Sequence, residues 1–190
     1  MELFAYSTSD IELVRKCVSG DRFHQEAFYK KFASKMYNLC LAYSNSRDDA
    51  KDIMQDGFVK IFTSLKQYNE NGSLDSWVRK IIVNTAIDFY RKSLKEKENI
   101  STENIHDLPS EFSVFDDINA KQLMKLIHRL PEGAKLAFNL NVIEGYSHDE
   151  IAEKLNISVG TSKSQVWRAK SLLKDWIINS SSVKAATVNT

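Results

Sequence analysis

An acidic stretch near the middle of the sequence divides the chain, and this division constrains the fold more than any other feature. Residues 96–117 carry seven acidic side chains and one lysine, a net charge of −6, and their apolar residues show weak periodicity. Such a segment has little apolar surface to pack, so we expect a solvated, flexible linker. Each flanking part must then bury its own core, and 190 residues are enough for two small domains.

Both flanking parts show the spacing of amphipathic helices, with apolar residues at steps of three and four. Asp48 or Asp49 is expected to cap the second long helix, because aspartate accepts backbone N–H bonds. With six glycines and two prolines, the chain lacks the turn residues that many short strands require. The sequence therefore predicts an all-α fold, and the main periodic segments are 23–43, 50–65, 74–94, 118–130, 134–142 and 158–176.

Composition and motifs exclude several classes of protein. The formal net charge of +1 does not by itself indicate what kind of partner the chain binds. The negative mean hydropathy, and the lack of an apolar run near the roughly 18 residues of a membrane span, argue against membrane insertion. Cys17 and Cys40 are the only cysteines and no signal peptide is evident, so we expect a reducing cytoplasm. The histidines and glycines form no metal or phosphate-binding motif, so no catalytic residue, metal or cofactor is expected.

Residues 147–172 have the pattern of a helix-turn-helix. Ser147 and Glu150 have the spacing of a capping box, which starts a short helix. Asn156 suits the left-handed turn that follows, and Ser158 is expected to cap the second helix.

The second of these helices carries polar and basic side chains. Residues 158–176 contain four basic groups and one aspartate, a net charge of +3. In a major groove, Lys163 and Arg168 can reach guanine edges or phosphates, and Gln165 can read adenine. A plain helical hairpin with a solvated basic face would show the same pattern.

Several motifs resemble those of bacterial sigma factors, most of all the extracytoplasmic-function (ECF) type of the sigma-70 family. The resemblance covers about residues 10–178, with the motifs in the family's order. It is carried by 48–58 (DDAKDIMQDGF), 76–85 (SWVRKIIVNT) with Asp88 and Arg91, 130–132 (LPE), 144–147 (EGYS), 150–155 (EIAEKL), 160–164 (GTSKS) and 168–170 (RAK).

The resemblance implies two binding surfaces in the N-terminal half. Core RNA polymerase would bind the helix 48–65, with contacts from Asp52, Gln55, Asp56 and Phe58. A base flipped out of the minus-ten element would enter a pocket at the loop 67–76, with Tyr68 as a wall. The minus-ten residues implied in this way are Tyr68, Arg79, Lys80, Asn84 and Arg91. From the residues themselves, Trp77 and Ile81 are expected to face the core.

The resemblance also implies that the second helix of the helix-turn-helix reads the minus-thirty-five element, through Lys163, Ser164, Gln165, Trp167 and Arg168. Two positions depart from the family pattern. Ser162 stands where the family is usually apolar, which is expected to loosen helix packing slightly. Gln165 stands where the family is usually basic, which is expected to weaken phosphate attraction or alter base preference.

The leading hypothesis is a non-catalytic sigma factor that binds core RNA polymerase and promoter DNA, under the control of an anti-sigma factor. Its expected domains are an N-terminal bundle over 10–95, the linker over 96–117, a helix-turn-helix domain over 118–178 and a disordered tail over 179–190. The linker would either mimic nucleic acid in a basic channel or serve only as a tether. The alternatives are a helix-turn-helix regulator that acts without core polymerase and a helical adaptor without DNA function.

Overall fold

The computed structural model describes residues 9–69, 72–99 and 120–187, which form eight α-helices and no strand. This confirms the all-α prediction. The chain divides into two compact units, Met1–Tyr90 and Arg91–Thr190, each described separately below. This boundary lies five residues before the predicted domain end at 95. The predicted linker lies outside the described residues from residue 100 onward.

The first unit is built from four helices: α1 Asp10–Val18, α2 Arg22–Tyr43, α3 Arg47–Ser64 with a 3₁₀ turn at Leu65–Gln67, and α4 Leu74–Asn99, which continues across the boundary between the units. Side-chain oxygens of Ser9 and Asp21 cap α1 and α2. The expected cap of α3 is wrong: Ser46 is the N-cap and accepts from the Asp49 N–H at 3.0 Å. Asp48 and Asp49 lie in the first turn, where carboxylates favour the helix dipole.

Large side chains from three helices fill the core of the first unit. Phe28, Phe32, Met36, Ile53, Ile61, Val78 and Ile82 are each at most 1% exposed. Helices α3 and α4 approach closely at Gly57, where a Cβ atom would overlap the Cδ1 of Ile82. Ion pairs from Lys35 to Asp75 and from Lys60 to Asp88 tie α4 to α2 and α3.

The second unit contains α5 Ala120–His128, α6 Glu132–Phe138, a π-helical turn at Asn139–Ile143, α7 His148–Leu155 and α8 Val159–Thr187. Its core joins α5, α6 and α8 through Ile127, Leu130, Ala134, Phe138, Ala169 and Leu173. The segment 134–142, which was predicted as one helix, is instead divided between the end of α6 and the π-helical turn. The turn is closed by a hydrogen bond from the Glu144 N–H to the Asn139 carbonyl at 3.0 Å.

Helix α8 is longer than expected. Its backbone continues to Thr187, so the segment 179–187, predicted as part of a disordered tail, is helical. The physical reason lies in the sequence: no glycine or proline follows Gly160, and Lys184, Ala185 and Ala186 favour helix. In the described part of the chain, no helix combines the length and hydropathy that a membrane span requires.

Candidate nucleic-acid and partner interfaces

Helices α7 and α8 form the predicted helix-turn-helix, and local hydrogen bonds set its bounds. The capping box is present: the Ser147 Oγ accepts from the Glu150 N–H at 3.2 Å, and a Glu150 oxygen accepts from the Ser147 N–H at 2.8 Å. Asn156 has φ 55° and ψ 48°, the left-handed conformation that ends α7. Ser158 Oγ accepts from the Thr161 N–H at 3.0 Å, as expected for the cap of α8.

The inner faces of α7 and α8 carry the buried side chains of the helix-turn-helix. Ile151, Leu155 and Val166 are buried, and the small Ala152 is also buried. Ile157, which follows α7, is only partly buried. The outer face of α8 is left free of the core.

Four of the predicted minus-thirty-five residues lie on this outer face of α8: Lys163, Ser164, Trp167 and Arg168 are all exposed. Trp167 is 71% exposed, which is unusual for so large an apolar ring and leaves the indole available for contact. The Ser164 hydroxyl donates to the Thr161 carbonyl at 3.0 Å, so its oxygen can still accept from a ligand.

The fifth predicted residue, Gln165, does not share that face. It is partly buried, and its Oε1 atom is enclosed without a hydrogen-bond partner. On a helix, residue 165 lies one turn from Ser162 and Ala169, which are both fully buried. In this conformation the amide oxygen of Gln165 is turned away from solvent, and its role as a reader of adenine stays a prediction.

Ser162 is not loosely packed, contrary to expectation. It is fully buried, and its Oγ lies 3.0 Å from Nδ1 of the partly buried His148 on α7. The sequence contained both residues, but nothing in their separation of 14 positions indicated that they meet.

Helix α3 presents three of the four predicted polymerase-binding residues to solvent. Asp52, Gln55 and Asp56 are exposed at steps of three and one, which places them on one face. Phe58 is the exception, because it is only 5% exposed. The prediction that it lies on the exposed face of α3 with the other three residues is therefore corrected. Its ring packs on Tyr29 of α2, with ring centroids 4.7 Å apart, because residue 58 lies on the side of α3 that faces α2.

Beside these polar residues runs an apolar groove that the sequence did not predict. It lies between α2 and α3, has a volume of about 620 Å³ and is lined by Tyr29, Lys51, Met54, Gln55, Phe58, Val59, Phe62 and Thr63. Tyr29 is 43% exposed and Val59 58% exposed, whereas Phe58 forms its floor. Gln55 belongs to both the polar face and the groove, so the two surfaces are continuous.

Helix α4 and the turn before it hold the predicted minus-ten residues. Tyr68 is partly buried; its hydroxyl donates to the Gly72 carbonyl at 2.9 Å, and its ring lies 5.6 Å from that of Trp77. Trp77 and Ile81, which were expected to face the core, are partly buried and lie at its edge. The core stripe of α4 is instead Leu74, Val78 and Ile82, at steps of four.

Three further predicted minus-ten residues share one face of α4. These residues are Lys80, Asn84 and Arg91, whose spacings of four and seven residues place them on the same side of the helix. Lys80 and Arg91 are exposed. Arg79 is next to this face and partly buried. Asp88 lies on the same face, but Lys60 of α3 pairs with it at 2.9 Å. The aspartate charge is thereby balanced, and the positive character of the face is preserved.

Both cysteines are free thiols buried in the first unit. Burial raises the pKa of Cys17 to about 11 and that of Cys40 to about 12, which keeps both as unreactive thiols. Within the residues that the structure describes, no group of three or more His, Cys, Asp or Glu side chains could hold a metal ion.

These features define a helical protein with a helix-turn-helix unit and a separate helical bundle. Comparison with known families identifies it further: residues 28–96 match sigma-70 region 2, and residues 120–173 match sigma-70 region 4. The chain therefore belongs to the sigma-70 family, in its ECF group, and as a sigma factor it directs promoter-specific transcription by core RNA polymerase.

Individual relatives agree with this assignment. The ECF RNA polymerase sigma-E factor of Haemophilus influenzae is 27% identical over 185 residues, spanning 91% of this chain and 97% of that protein. The RNA polymerase sigma-H factor of Pseudomonas aeruginosa is 24% identical over 174 residues, spanning 85% and 90% respectively. The structure of the sigma factor RpoE of Bartonella quintana, solved with the anti-sigma factor NepR, has a similar fold, with a TM-score of 0.51, 20% identity, and coverage of 80% of this chain and 97% of that one.

Proposed function

We propose that this sigma factor is a non-catalytic initiation factor that binds core RNA polymerase mainly through α3 and holds the promoter at two points. One observation carries the proposal: α3 exposes Asp52, Gln55 and Asp56 directly beside an apolar groove. A regulator that binds DNA without polymerase has no need for such a surface. The proposed function is confined to the cytoplasm, where RNA polymerase acts.

The α3 surface has two parts with different roles in docking. The groove accepts apolar side chains of the polymerase, and their burial supplies most of the affinity. The carboxylates of Asp52 and Asp56 attract basic groups of the polymerase and fix the register of docking. Phe58 contributes through the shape of the groove floor.

At the minus-ten element, α4 and the preceding turn bind a separated DNA strand. Lys80, Arg91 and the neighbouring Arg79 attract phosphates, as cations do along single strands. Tyr68 and Asn84 flank a base that has left the stack. The Tyr68 ring is already held by Trp77 and by the Gly72 carbonyl, so little ordering is needed on binding.

At the minus-thirty-five element, the outer face of α8 enters the major groove. Lys163 and Arg168 bind guanine edges or phosphates, and Ser164 binds either a base or a phosphate. The exposed indole of Trp167 packs on apolar groups such as thymine methyls. Gln165 is left out of this contact set because its amide oxygen is enclosed.

The proposed domains are the polymerase- and minus-ten-binding unit over 10–95 and the minus-thirty-five-binding unit over 118–178, joined by the acidic linker. Such an arrangement allows an anti-sigma factor to control the chain by covering its polymerase-binding surface. The fold shared with a sigma factor that was crystallised with an anti-sigma factor supports this part of the proposal.

A pull-down with core RNA polymerase tests the proposal. The full chain should form a stable 1:1 complex, and Asp52→Lys or Asp56→Lys should weaken it at least about tenfold, because each reversal opposes basic groups on the partner. Glu12→Lys is the matched control: it reverses an exposed acid on α1 of the same unit and should leave binding unchanged.

Run-off transcription from a genomic promoter library completes the test. Core polymerase with this chain should give promoter-dependent transcripts. If the chain bound DNA duplexes tightly by itself but neither bound polymerase nor supported transcription, the alternative, a polymerase-independent regulator, would be correct.

A further inference from the structure

A hydrogen bond between side chains joins the two helices of the helix-turn-helix. Nδ1 of His148, the first residue of α7, lies 3.0 Å from Oγ of Ser162 in the second turn of α8. Ser162 is fully buried and His148 partly buried. The contact is thus a directional polar bond between helices that also bury apolar side chains such as Ile151, Ala152 and Val166.

The bond is placed where it controls the orientation of α8. Ser162 points inward, while Lys163 and Ser164, the next two residues, point to solvent. Any rotation of α8 about its axis that separates Ser162 from His148 turns these side chains by the same angle. Hydrogen bonds weaken steeply with distance and angle, whereas apolar contacts permit small rotations. The bond therefore restrains a movement that apolar packing alone would allow.

The α7 end of the bond is itself fixed. The residue before His148 is Ser147, whose N–H donates to Glu150 at 2.8 Å and whose hydroxyl donates to the same carboxylate at 2.9 Å. This capping box sets the backbone from which the imidazole extends. His148 thus has a defined position from which to hold Ser162.

The bond can form in both charge states of the imidazole. In the neutral Nε2–H tautomer, the Ser162 hydroxyl donates to Nδ1; in the imidazolium, Nδ1–H donates to Ser162 Oγ. The restraint is therefore a fixed part of the unit.

We propose that His148 is a positioning residue for promoter recognition: its hydrogen bond to Ser162 sets the rotation of α8 and thereby aims Lys163, Trp167 and Arg168 at the minus-thirty-five element. This inference rests on the proposed function of α8. It assigns a role to the buried hydroxyl of Ser162, and it pairs that serine with a residue on the other helix.

The test uses the full chain with core RNA polymerase and a promoter that the unmodified chain selects from a genomic library. Run-off transcription is measured on that promoter and on a copy with its upstream element scrambled, and the ratio of the two rates is the discrimination. His148→Leu and Ser162→Ala should each lower discrimination about three- to tenfold, the effect of losing one hydrogen bond. The matched control is Ser171→Ala, at another serine of α8 that has no part in the proposed restraint. This change should leave the discrimination unchanged.

A double variant, His148→Leu with Ser162→Val, separates positioning from packing. Its apolar pair removes the buried hydroxyl, so the thermal unfolding midpoint should return towards that of the unmodified chain. Discrimination should stay low, because the directional restraint is absent. The inference is overturned if this variant regains both properties, or if the single variants fold and discriminate normally. If the unmodified chain neither selects a promoter nor binds polymerase, the result contradicts the proposed function rather than the role of His148.

Discussion

The bundle of the first unit and the helix-turn-helix of the second hold their helices in place by different means. Helices α2 and α3 have 22 and 18 residues, and large side chains such as Phe28 and Ile61 are wholly enclosed between them. Helix α7 has only eight residues, and its two ends are set by the capping box at Ser147 and the left-handed Asn156. Helices this short are marginal alone, so local hydrogen bonds at their ends matter more.

This difference follows the surfaces that each unit presents. In the first unit, tightly packed side chains support the groove between α2 and α3, whose floor is the ring of Phe58. In the second, end caps and the His148–Ser162 bond orient one helix face. Substitutions of the enclosed rings in the bundle should therefore cost cavity energy, and substitutions at the caps and turn of the helix-turn-helix should cost smaller energies.

The largest expected effect comes from Phe28→Ala in the bundle. Phe28 is fully buried and its ring lies 4.8 Å from that of Phe32, so truncation leaves a cavity and should destabilise the first unit by about 3–5 kcal/mol. The measurement is urea unfolding followed through Trp77, in a chain whose other two tryptophans are changed to phenylalanine. Phe23→Ala, at a ring that is 70% exposed, is the control and should cost little.

A smaller effect is expected at the α3–α4 contact. Gly57→Leu places side-chain atoms where the Cδ1 of Ile82 lies, and overpacking of this kind should cost about 1–3 kcal/mol. Ile82→Ala in the same chain removes the overlapping atom, so the double variant should be more stable than the sum of the two single changes. Simple additivity in the Trp77-monitored unfolding would show that the two helices do not press together there.

Several features that depend on nearby residues were predictable from the sequence, although the cap of α3 was not. The capping box, the turn at Asn156 and the cap at Ser158 each involve residues at most a few positions apart, and the structure contains all three. Helical periodicity predicted the helices, because each must bury one face. The family resemblance, carried by short motifs, was confirmed for the same reason.

Features that depend on how helices approach one another were not predictable. Periodicity places Phe58 on α3 but does not reveal that Tyr29 of α2 covers it and opens a groove beside it. In the same way, it could not show that the Gln165 amide oxygen turns inward. The buried Lys135, 1% exposed in the second unit, is a position that composition alone would assign to the surface.

In the helix-turn-helix, Asn156→Val should have a moderate effect. Residue 156 has φ 55°, a region that a β-branched side chain enters only with strain, so the cost should be about 1–2 kcal/mol. Unfolding is followed through Trp176 of the second unit, with Trp77 and Trp167 changed to phenylalanine. Asn156→Gly retains the left-handed turn and should unfold near the unmodified midpoint; equal losses in both variants would mean that the asparagine side chain, not the backbone, matters.

The smallest expected effect is a change in pH dependence at Glu150. The Ser147 N–H and hydroxyl donate to its carboxylate and hold the pKa of Glu150 below the ordinary 4.5. A group whose pKa is lowered on folding contributes stability above its unfolded pKa and loses it as the pH falls through the folded pKa. Glu150→Gln keeps an acceptor for the capping box but does not titrate. Between about pH 6 and about pH 3, the Trp176-monitored free energy of unfolding should therefore fall less steeply in this variant. Parallel curves would mean that the carboxylate charge adds nothing to the start of α7, and that the second unit relies on packing as the first does.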